Sequence, residues 1–416
     1  MRRVVVGALA AVVIAGGAAT AVWRADAGSG PSAAAVAAAV TRTTVSPSAQ
    51  EISCASPTSC LAVGSTADAV TGASVPAAQD LDAGTWRTVT VKPPVAPGVS
   101  SSLTGVSCPA ASNCLAVGEY NTVSYGDPLP YALTWNGTSF SPVAPLPFPP
   151  GAYLDALGDV TCPAVNDCVL LGLVTGDGSP GTLNGGELVW TWNGSTWSMT
   201  AVPTPDTMVA VNLGSLQCAT VIHCVAAGQE ITDYGNVRPA FDIWNGDSFT
   251  PHDPPVPPGM SFAAFSGLSC ASRNLCAAIG SGYPPAQAPV TSFLDVWNGR
   301  TWNITLWAGP TGFGPAELSS VSCVSASDCI AVGSDGPAAD QRATALAWNG
   351  STWTTAALPG LSSTGSSLFS HVTCWKAGGC TALGEAAAAG DTTIDPADAV
   401  AITGQWNGTA WQVTTP

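Results

Sequence analysis

Tyrosines, and the carboxylates near them, are the side chains of this chain whose chemistry suits recognition of a polyol. All six tyrosines of the 416-residue sequence occur in or beside segments of irregular length and composition. A phenol ring stacks on a sugar ring, and an aspartate accepts hydrogen bonds from hydroxyl groups. The sequence therefore predicts a ligand-binding site that is formed by Tyr120, Tyr125, Asp127, Tyr153, Asp155, Asp233, Tyr234 and Tyr283. The alternative is that these tyrosines cap the ends of hydrophobic layers.

Catalytic signatures are scarce in this sequence. It contains no Gly-x-Ser-x-Gly, no His-Glu-x-x-His, no phosphate-binding glycine loop and no EF-hand pattern. Its three histidines, His223, His252 and His371, do not recur at fixed intervals. We therefore predict no catalytic residue, no cofactor and no metal ion. Enzyme activity stays open, because acidic residues are plentiful and two suitably placed carboxylates are enough to hydrolyse a glycoside.

The fourteen cysteines form seven pairs in which the two members are six positions apart. A short closed loop of this kind in every pair predicts seven disulfides and an oxidising compartment. The alternative, seven two-thiolate metal sites, is disfavoured because no histidine or third cysteine recurs with the pairs. The predicted disulfides are Cys54–Cys60, Cys108–Cys114, Cys162–Cys168, Cys218–Cys224, Cys270–Cys276, Cys323–Cys329 and Cys374–Cys380.

Each cysteine pair opens a repeat of 51 to 56 residues. In six of the seven repeats a Trp-Asn-Gly-x-x-Trp/Phe motif follows the cysteines, as at Trp135 to Phe140. In the second repeat the pattern predicts strands over 103–108, 114–118, 131–135 and 139–144, with a variable segment over 119–130. Four antiparallel strands repeated seven times predict an all-β, seven-bladed β-propeller with one disulfide per blade. A β-helix is the alternative, but its coils are much shorter.

The aromatic pair of each motif is expected to pack in the hydrophobic core. A two- or four-residue loop at Asn-Gly places the two rings on one face of the sheet as cross-strand neighbours. We expect these pairs to fill the layers between blades. Asp242 and Asp295 conflict with this expectation. Each lies two residues before the tryptophan of its motif, so its carboxylate falls on the same face of the strand as the packed ring. They predict either a broken register or carboxylates that meet solvent or a partner at the blade edge.

The order of the strands predicts two different faces of the disc. The cysteine loops and the Asn-Gly turns share one face, which we call the disulfide face. The second turn of each blade, such as 119–130, 228–239 and 281–290, and the links between blades, such as 142–157, share the other, which we call the variable face. Ligand binding is expected on the variable face, since variable loops on a rigid scaffold usually carry binding residues.

The composition and the N-terminus predict a secreted protein. Two arginines precede an uncharged run over 4–22, so residues 1–27 read as a signal peptide or an N-terminal anchor. Residues 28–50 read as a flexible linker rich in Ala, Ser and Thr, and residues 51–416 as the propeller. The net charge of −16, with only 11 basic residues, argues against binding to nucleic acid. Contact with a membrane is expected only if the N-terminal segment stays uncleaved.

The string Ser-Cys-x5-Cys-x-Ala-Val-Gly, followed by Trp-Asn-Gly-x-x-Trp, resembles a family of secreted repeat propellers in high-GC Gram-positive bacteria. It stands here at Ser107 to Gly118 and at Ser322 to Gly333. The resemblance implies the scaffold and says little about activity. We expect a monomeric extracellular propeller that binds a glycan or a cell-envelope protein. The alternatives are an assembly module, which would use an exposed patch at Trp375, and a carboxylate-dependent enzyme that acts on polysaccharide.

Overall fold

The computed structural model describes most of the chain from Ala49 to Thr414 and shows a β-propeller. The ranges described are 49–82, 84–92, 94–96, 98–122, 126–176, 185–203, 208–232, 235–252, 254–272, 274–283, 290–309, 316–337, 340–361, 365–388, 391–395 and 399–414. In these ranges no helix is long and apolar enough to cross a membrane.

The strands of the first four blades follow one another in chain order. Blade 1 contains β1 (Ala49–Ser56), β2 (Ser59–Ala67), β3 (Ser74–Asp82) and β4 (Thr85–Val89). Blade 2 contains β5 (Ser101–Ala110), β6 (Asn113–Thr122), β7 (Gly126–Trp135) and β8 (Phe140–Pro142). Blade 3 contains β9 (Ala152–Ala164), β10 (Asp167–Gly176), β11 (Gly185–Trp192) and β12 (Trp197–Pro203). Blade 4 contains β13 (Met208–Thr220), β14 (His223–Thr232), β15 (Val237–Trp244) and β16 (Phe249–Pro251).

The last three blades continue the same order. Blade 5 contains β17 (Phe262–Ser272), β18 (Leu275–Tyr283), β19 (Thr291–Trp297) and β20 (Trp302–Trp307). Blade 6 contains β21 (Ala316–Ser325), β22 (Asp328–Asp335), β23 (Arg342–Trp348) and β24 (Trp353–Thr355). Blade 7 contains β25 (Ser367–Lys376), β26 (Gly379–Ala386), β27 (Val400–Trp406) and β28 (Trp411–Thr414).

Each blade is a four-stranded antiparallel sheet made of consecutive strands. The first strands of the seven blades lie side by side around the axis and contact one another in a closed ring. The seven predicted disulfides all form, with Cα–Cα separations of 3.9–4.1 Å. The prediction of a seven-bladed, disulfide-linked propeller is confirmed.

The strands of blade 2 extend further than their apolar residues predict. The segment over 119–130 was expected to be a variable turn, but β6 runs to Thr122 and β7 begins at Gly126. Pairing of Glu119 with Pro130 and of Tyr120 with Leu129 extends the ladder through this segment. Strand pairing uses backbone groups that every residue except proline supplies in full, so varied side chains do not end a strand.

The Asn-Gly turns are four-residue loops held by the asparagine. In blade 2, the Oδ1 atom of Asn136 accepts hydrogen bonds from the backbone N–H groups of Thr138 and Ser139, at 3.0 and 2.9 Å. Gly137 has a φ of 91°, a conformation that glycine adopts without steric cost. This loop length places Trp135 directly opposite Phe140, with ring centroids 5.0 Å apart.

The aromatic pairs fill the layers between blades, as predicted. Trp192 and Trp197 of blade 3, with ring centroids 5.1 Å apart, belong to one cluster with Leu115 and Val117 of blade 2. Blade 1 keeps this geometry with a leucine in place of the first tryptophan. Its Leu81 lies opposite Trp86. The motif is therefore a packing device of the scaffold.

Blades 1 and 7 meet through side chains, and among the described residues no strand is exchanged between them. Trp375 of blade 7 packs against the cluster of blade 1 that contains Ile52 and Leu81, and Leu383 of blade 7 joins the same cluster. The Nε1 atom of Trp375 is buried. Trp375 therefore contacts the neighbouring blade and is only partly buried, and its use as a docking patch stays a prediction.

Asp242 and Asp295 are buried in an unbroken register, which contradicts both alternatives drawn from the sequence. Asp242 pairs with Ala226 and Asp295 with Ala278 in continuous ladders. Only 8% of Asp242 and 1% of Asp295 is exposed. Burial raises the pKa of Asp295 to about 7. A carboxyl group held away from water favours its neutral form, which explains how the sheet accommodates it.

The serine before the first cysteine links a blade to the next one. The Oγ atom of Ser107 accepts a hydrogen bond of 2.9 Å from the backbone N–H of Cys162, one blade further on. The same bond recurs in three other repeats, with the same length, from Cys108 to Ser53, from Cys323 to Ser269 and from Cys374 to Ser322. We call these bonds inter-blade struts.

Replacing Ser107 with alanine is expected to lower the free energy of unfolding by about 1 kcal/mol, because the N–H of Cys162 loses its acceptor. Denaturant titration measures this change. Ser112→Ala is the control, since Ser112 is exposed in the disulfide loop of the same blade, and it should change stability by less than about 0.5 kcal/mol. Equal losses in the two variants would show that the strut does not stabilise the ring.

Candidate binding site on the propeller axis

A backbone irregularity on the first strand of each blade turns one residue toward the axis. The pairing shifts by one residue between Leu103 and Gly105 in blade 2, and between Phe369 and His371 in blade 7. Such a β-bulge redirects side chains from the pleat. The residue three positions before the first cysteine thereby lines an axial cavity in every blade, and the seven residues are Glu51, Gly105, Asp159, Ser215, Gly267, Ser320 and His371.

The axial cavity, which we call the axial pocket, has a volume of about 550 Å³. The residues one position earlier complete the same level, and four of them add a polar side chain: Gln50, Thr104, Ser266 and Ser319. Among the described residues that line it, none is a lysine or an arginine. The pocket is therefore a ring of hydroxyl and carboxyl groups inside a rigid scaffold.

Two carboxyl groups face this pocket from blades 1 and 3. Burial raises the pKa of Glu51 to about 7, against the lowering effect of a hydrogen bond of 3.0 Å from the N–H of Ile52. Burial also raises the pKa of Asp159 to about 7, and the charge of Glu51 adds to this effect. Like charges that influence each other in this way disfavour simultaneous ionisation. The pair therefore holds protons near neutral pH.

His371 stands next to Glu51 across the junction of blades 7 and 1. Its Nε2 atom lies 3.6 Å from Oε2 of Glu51. Burial lowers the pKa of His371 to about 4, so the imidazole is neutral at pH 7. The contact is therefore not an ion pair of two full charges. The Nδ1 atom of His371 and the Oγ1 atom of Thr104 have no hydrogen-bond partner among the described residues.

Asp159 also takes part in an inter-blade bond. Its Oδ2 atom accepts a hydrogen bond of 3.3 Å from the N–H of Leu216 in blade 4. Ser320 occupies the same repeat position in blade 6, and its Oγ atom accepts the corresponding bond of 3.1 Å from Val372. A serine therefore performs the structural task at this position as well as an aspartate does.

The described residues that were predicted to bind a ligand are not among those that line the axial pocket. Tyr153 is 41% exposed near the beginning of β9. Asp155, on the same strand, accepts a hydrogen bond of 2.6 Å from the hydroxyl of Thr175. Tyr283 is 43% exposed at the end of β18 and packs edge-to-face against Phe262.

Tyr120 is less available than these two tyrosines. It packs against Tyr131, with ring centroids 6.2 Å apart, next to the core between blades 1 and 2. Among the described tyrosines, no ring contact joins Tyr120, Tyr153 and Tyr283, which belong to blades 2, 3 and 5. Tyr125, Asp233, Tyr234 and the side chain of Asp127 lie outside the described residues. Ligand binding by this set stays a prediction.

Sequence reasoning missed Glu51, Asp159 and His371. The signal was present, because alignment of the repeats on their first cysteine places all three at one position. That position carries Glu, Gly, Asp, Ser, Gly, Ser and His in the seven repeats, so no pattern of residue type marks it. Only the bulge, which a sequence pattern does not reveal, shows that the position faces the axis.

A second cavity, of about 470 Å³, opens between blades 4 and 5 on the disulfide face. His223, His252 and Trp297 line it together with mainly apolar neighbours. The ring centroids of His252 and Trp297 are 6.1 Å apart. Within the described part of the chain, no group of three or more His, Cys, Asp or Glu residues is placed to hold a metal ion.

No protein-family model and no curated protein matches this chain. Solved propeller structures are similar to it at low identity. The propeller domain of the Trilobed protease from Pyrococcus furiosus matches 88% of this chain and 96% of its own, with 7% identity and a TM-score of 0.45. The ulvan lyase of polysaccharide lyase family PL25 matches 72% of this chain and 80% of its own, with 11% identity and a TM-score of 0.43.

A Hadza microbial sialidase, Hz136, matches 82% of this chain and 73% of its own, with 12% identity and a TM-score of 0.42. At these identities and scores the similarity carries no information about what this chain binds. The resemblance to secreted repeat propellers of Gram-positive bacteria therefore stays a prediction that rests on the motifs.

Proposed function

We propose that this chain is an extracellular propeller that binds a glycan. The observation that carries the proposal is the axial pocket, a cavity of about 550 Å³ whose inward side chains are almost all polar. This volume lies within the range of small-ligand sites in proteins. A sugar presents many hydroxyl groups, and each needs a hydrogen-bond partner when it leaves water. Hydroxyls from Ser215, Ser266 and Ser320, with the two carboxyl groups, supply such partners.

The extracellular location is supported by the disulfides. Every blade contains one, and the described residues include no free cysteine. Disulfides persist in oxidising compartments and are rare in the cytosol. A protein that displays a polar pocket outside the cell meets polysaccharides and envelope proteins as its main partners.

The variable face extends the proposed site along blade 3. Tyr153 and Asp155 lie on β9, the strand that also carries Asp159. Asp155 and Asp159 are four positions apart on this strand, which corresponds to about 13 Å. A glycan chain with one unit in the axial pocket can therefore continue toward Tyr153, whose exposed ring offers a stacking surface.

Oxidised full-length protein is expected to bind a subset of polysaccharides saturably on a glycan array. Tyr153→Ala and Glu51→Gln should each weaken binding at least about tenfold, because each removes a stacking or charged contact. Ile222→Ala is the control, since Ile222 is 50% exposed in a loop of the disulfide face. The glycan proposal would be replaced by a protein partner if the array showed no binding and a pull-down from cell envelopes enriched one protein instead.

A second candidate, a polysaccharide-cleaving enzyme, is favoured by one observation. Glu51 and Asp159 share the axial pocket and influence each other's ionisation. In hydrolysis, the protonated carboxyl would give its proton to the glycosidic oxygen, while the carboxylate takes a proton from the attacking water. Incubation of each bound polysaccharide with the protein tests this reaction. New reducing ends that disappear in Asp159→Asn would support it, and intact polysaccharide would exclude it.

A further inference from the structure

The axial pocket contains two carboxyl groups whose ionised forms the scaffold does not balance with a cation. Glu51 and Asp159 both face it, and none of the described lining residues is a lysine or an arginine. Among these described lining residues the one basic side chain is His371, which burial keeps neutral at pH 7. The Glu51 side chain is 33% exposed, so the pair is only partly shielded from water, but desolvation still penalises the charged form.

The structural role of Asp159 does not explain its charge. Ser320 accepts the corresponding inter-blade bond with a neutral hydroxyl, so a serine at position 159 would satisfy the N–H of Leu216 equally well. Glu51 likewise uses one oxygen for Ile52, while its other oxygen lies at 3.6 Å from His371, beyond the usual hydrogen-bond distance. Both residues keep acceptor capacity that the fold leaves unused.

A second observation indicates that the wall of the pocket lacks partners. The Nδ1 atom of His371 and the Oγ1 atom of Thr104 have no hydrogen-bond partner among the described residues. Buried polar groups are normally satisfied, so such groups call for an explanation. Both belong to the level that contains Glu51 and Asp159.

We propose that the axial pocket binds the primary ammonium group of an amino sugar. An ammonium group donates three hydrogen bonds, and Glu51, Asp159 and a neighbouring hydroxyl provide three acceptors. Its single positive charge offsets one unit of carboxylate charge, and charge-assisted hydrogen bonds are the stronger kind. The serine and threonine hydroxyls of the same level suit the hydroxyl groups beside the amine.

This inference rests on the proposed glycan binding and narrows it to one substrate class. It also predicts a change in the number of protons bound to the protein when the ligand binds. Burial holds the pKa values of Glu51 and Asp159 near 7, so at pH 6 the pair is largely protonated. An ammonium group favours the charged form of a nearby carboxyl and lowers its pKa. Ligand binding at pH 6 is therefore expected to release protons.

Calorimetric titration of the full-length oxidised protein at pH 6 tests the inference with two probes, a chito-oligosaccharide with free amines and its N-acetylated counterpart. The free amine should bind at least about tenfold more tightly, since acetylation removes the charge. Two buffers of different ionisation enthalpy should reveal proton release for the amine only. Asp159→Ser and Glu51→Gln should each reduce this preference.

Glu317→Gln is the control, because it removes an exposed carboxyl group outside the axial pocket and keeps the carboxyl pair. It should leave the preference for the amine unchanged. Equal affinity for the two probes would overturn the inference and leave glycan binding intact. Binding of neither probe would also overturn it, while the glycan array independently decides the broader proposal. An unchanged preference in both Asp159→Ser and Glu51→Gln, with normal thermal unfolding, would show that the carboxyl groups do not recognise the amine.

Discussion

Replacement of Trp244 by alanine is expected to lower the free energy of unfolding by about 3–5 kcal/mol. Trp244 is only 1% exposed and packs with Val169 and Leu171 of blade 3. Its ring also lies 5.2 Å from that of Phe249, centroid to centroid. Truncation would leave a cavity in the layer between blades 3 and 4, because the surrounding sheets relax only partly around a missing ring. Urea denaturation followed by tryptophan fluorescence measures the change.

Trp297 provides the internal comparison for this prediction. It occupies the same motif position in blade 5, but it borders the cavity between blades 4 and 5 and is only partly buried. Trp297→Ala should therefore cost less than Trp244→Ala, since less apolar surface returns to water. The scaffold interpretation of the motif would fail if Trp244→Ala left the urea midpoint unchanged.

Stability is expected to fall as the pH rises from 6 to 9, and Glu187 should account for a large share. Glu187 is 2% exposed, and burial raises its pKa to about 8. Its Oε1 atom accepts a hydrogen bond of 2.7 Å from Leu213, and the charge of Asp242 raises the pKa further. The carboxyl of an unfolded chain has a pKa of about 4.3, so it loses its proton far earlier than the folded one does.

The direction of this effect follows from proton counting. Between pH 4.3 and 8 the folded state holds a proton on Glu187 that the unfolded state has lost, so the free energy of unfolding decreases as the pH rises. The full loss from pH 4.3 upward is about 5 kcal/mol at most, and it is complete above pH 8. Glu51, Asp159 and Asp295 act in the same direction up to about pH 7.

His371 has the opposite effect in a different range. Burial lowers its pKa from 6.5 to about 4, so its contribution to stability is lost as the pH falls between these values. The range from pH 6.5 upward therefore isolates the carboxyl groups. Melting temperatures of the native protein and of Glu187→Gln, measured from pH 6 to 9, test the prediction. Glutamine keeps an acceptor for Leu213 and has no proton to lose, so its profile should be flatter.

Glu317→Gln is the control for the pH experiment, because Glu317 is exposed in β21 and should leave the profile unchanged. A native profile that is flat from pH 6.5 to 9 would mean that Glu187 ionises at its ordinary pKa in the folded protein. Parallel profiles of the native protein and Glu187→Gln would attribute the loss of stability to the other buried carboxyl groups.

The fold was predictable because one local rule is repeated seven times. Spacing alone fixed the disulfides, and the turn chemistry of Asn136 and Gly137 fixed the loop that places Trp135 opposite Phe140. The buried state of Asp295 was not predictable. Strand alternation predicted which face of the sheet Asp295 lies on. How deeply that face is buried depends on how blade 4 packs against blade 5, which no local sequence pattern encodes.

The axial pocket was beyond the reach of sequence patterns for a related reason. Glu51 and His371 stand in the first and the last repeat, and only closure of the ring makes them neighbours. Asp159 reaches the same level because the first strand of each blade is bulged at its position. The repeats conceal such sites, since a residue that differs from repeat to repeat looks like neutral variation until the strands are arranged around an axis.

The absence of strand exchange between described blades has a consequence for how such a molecule can change over evolutionary time. Every sheet is encoded by one uninterrupted stretch of sequence, so the unit of gene duplication and the unit of structure coincide. A gain or loss of one repeat would add or remove a whole sheet without leaving an unpaired strand behind. It would also change the circumference of the ring, and with it the width of the axial pocket. Diversification of such propellers can therefore alter ligand size by copy number and ligand chemistry by substitution at one position per repeat.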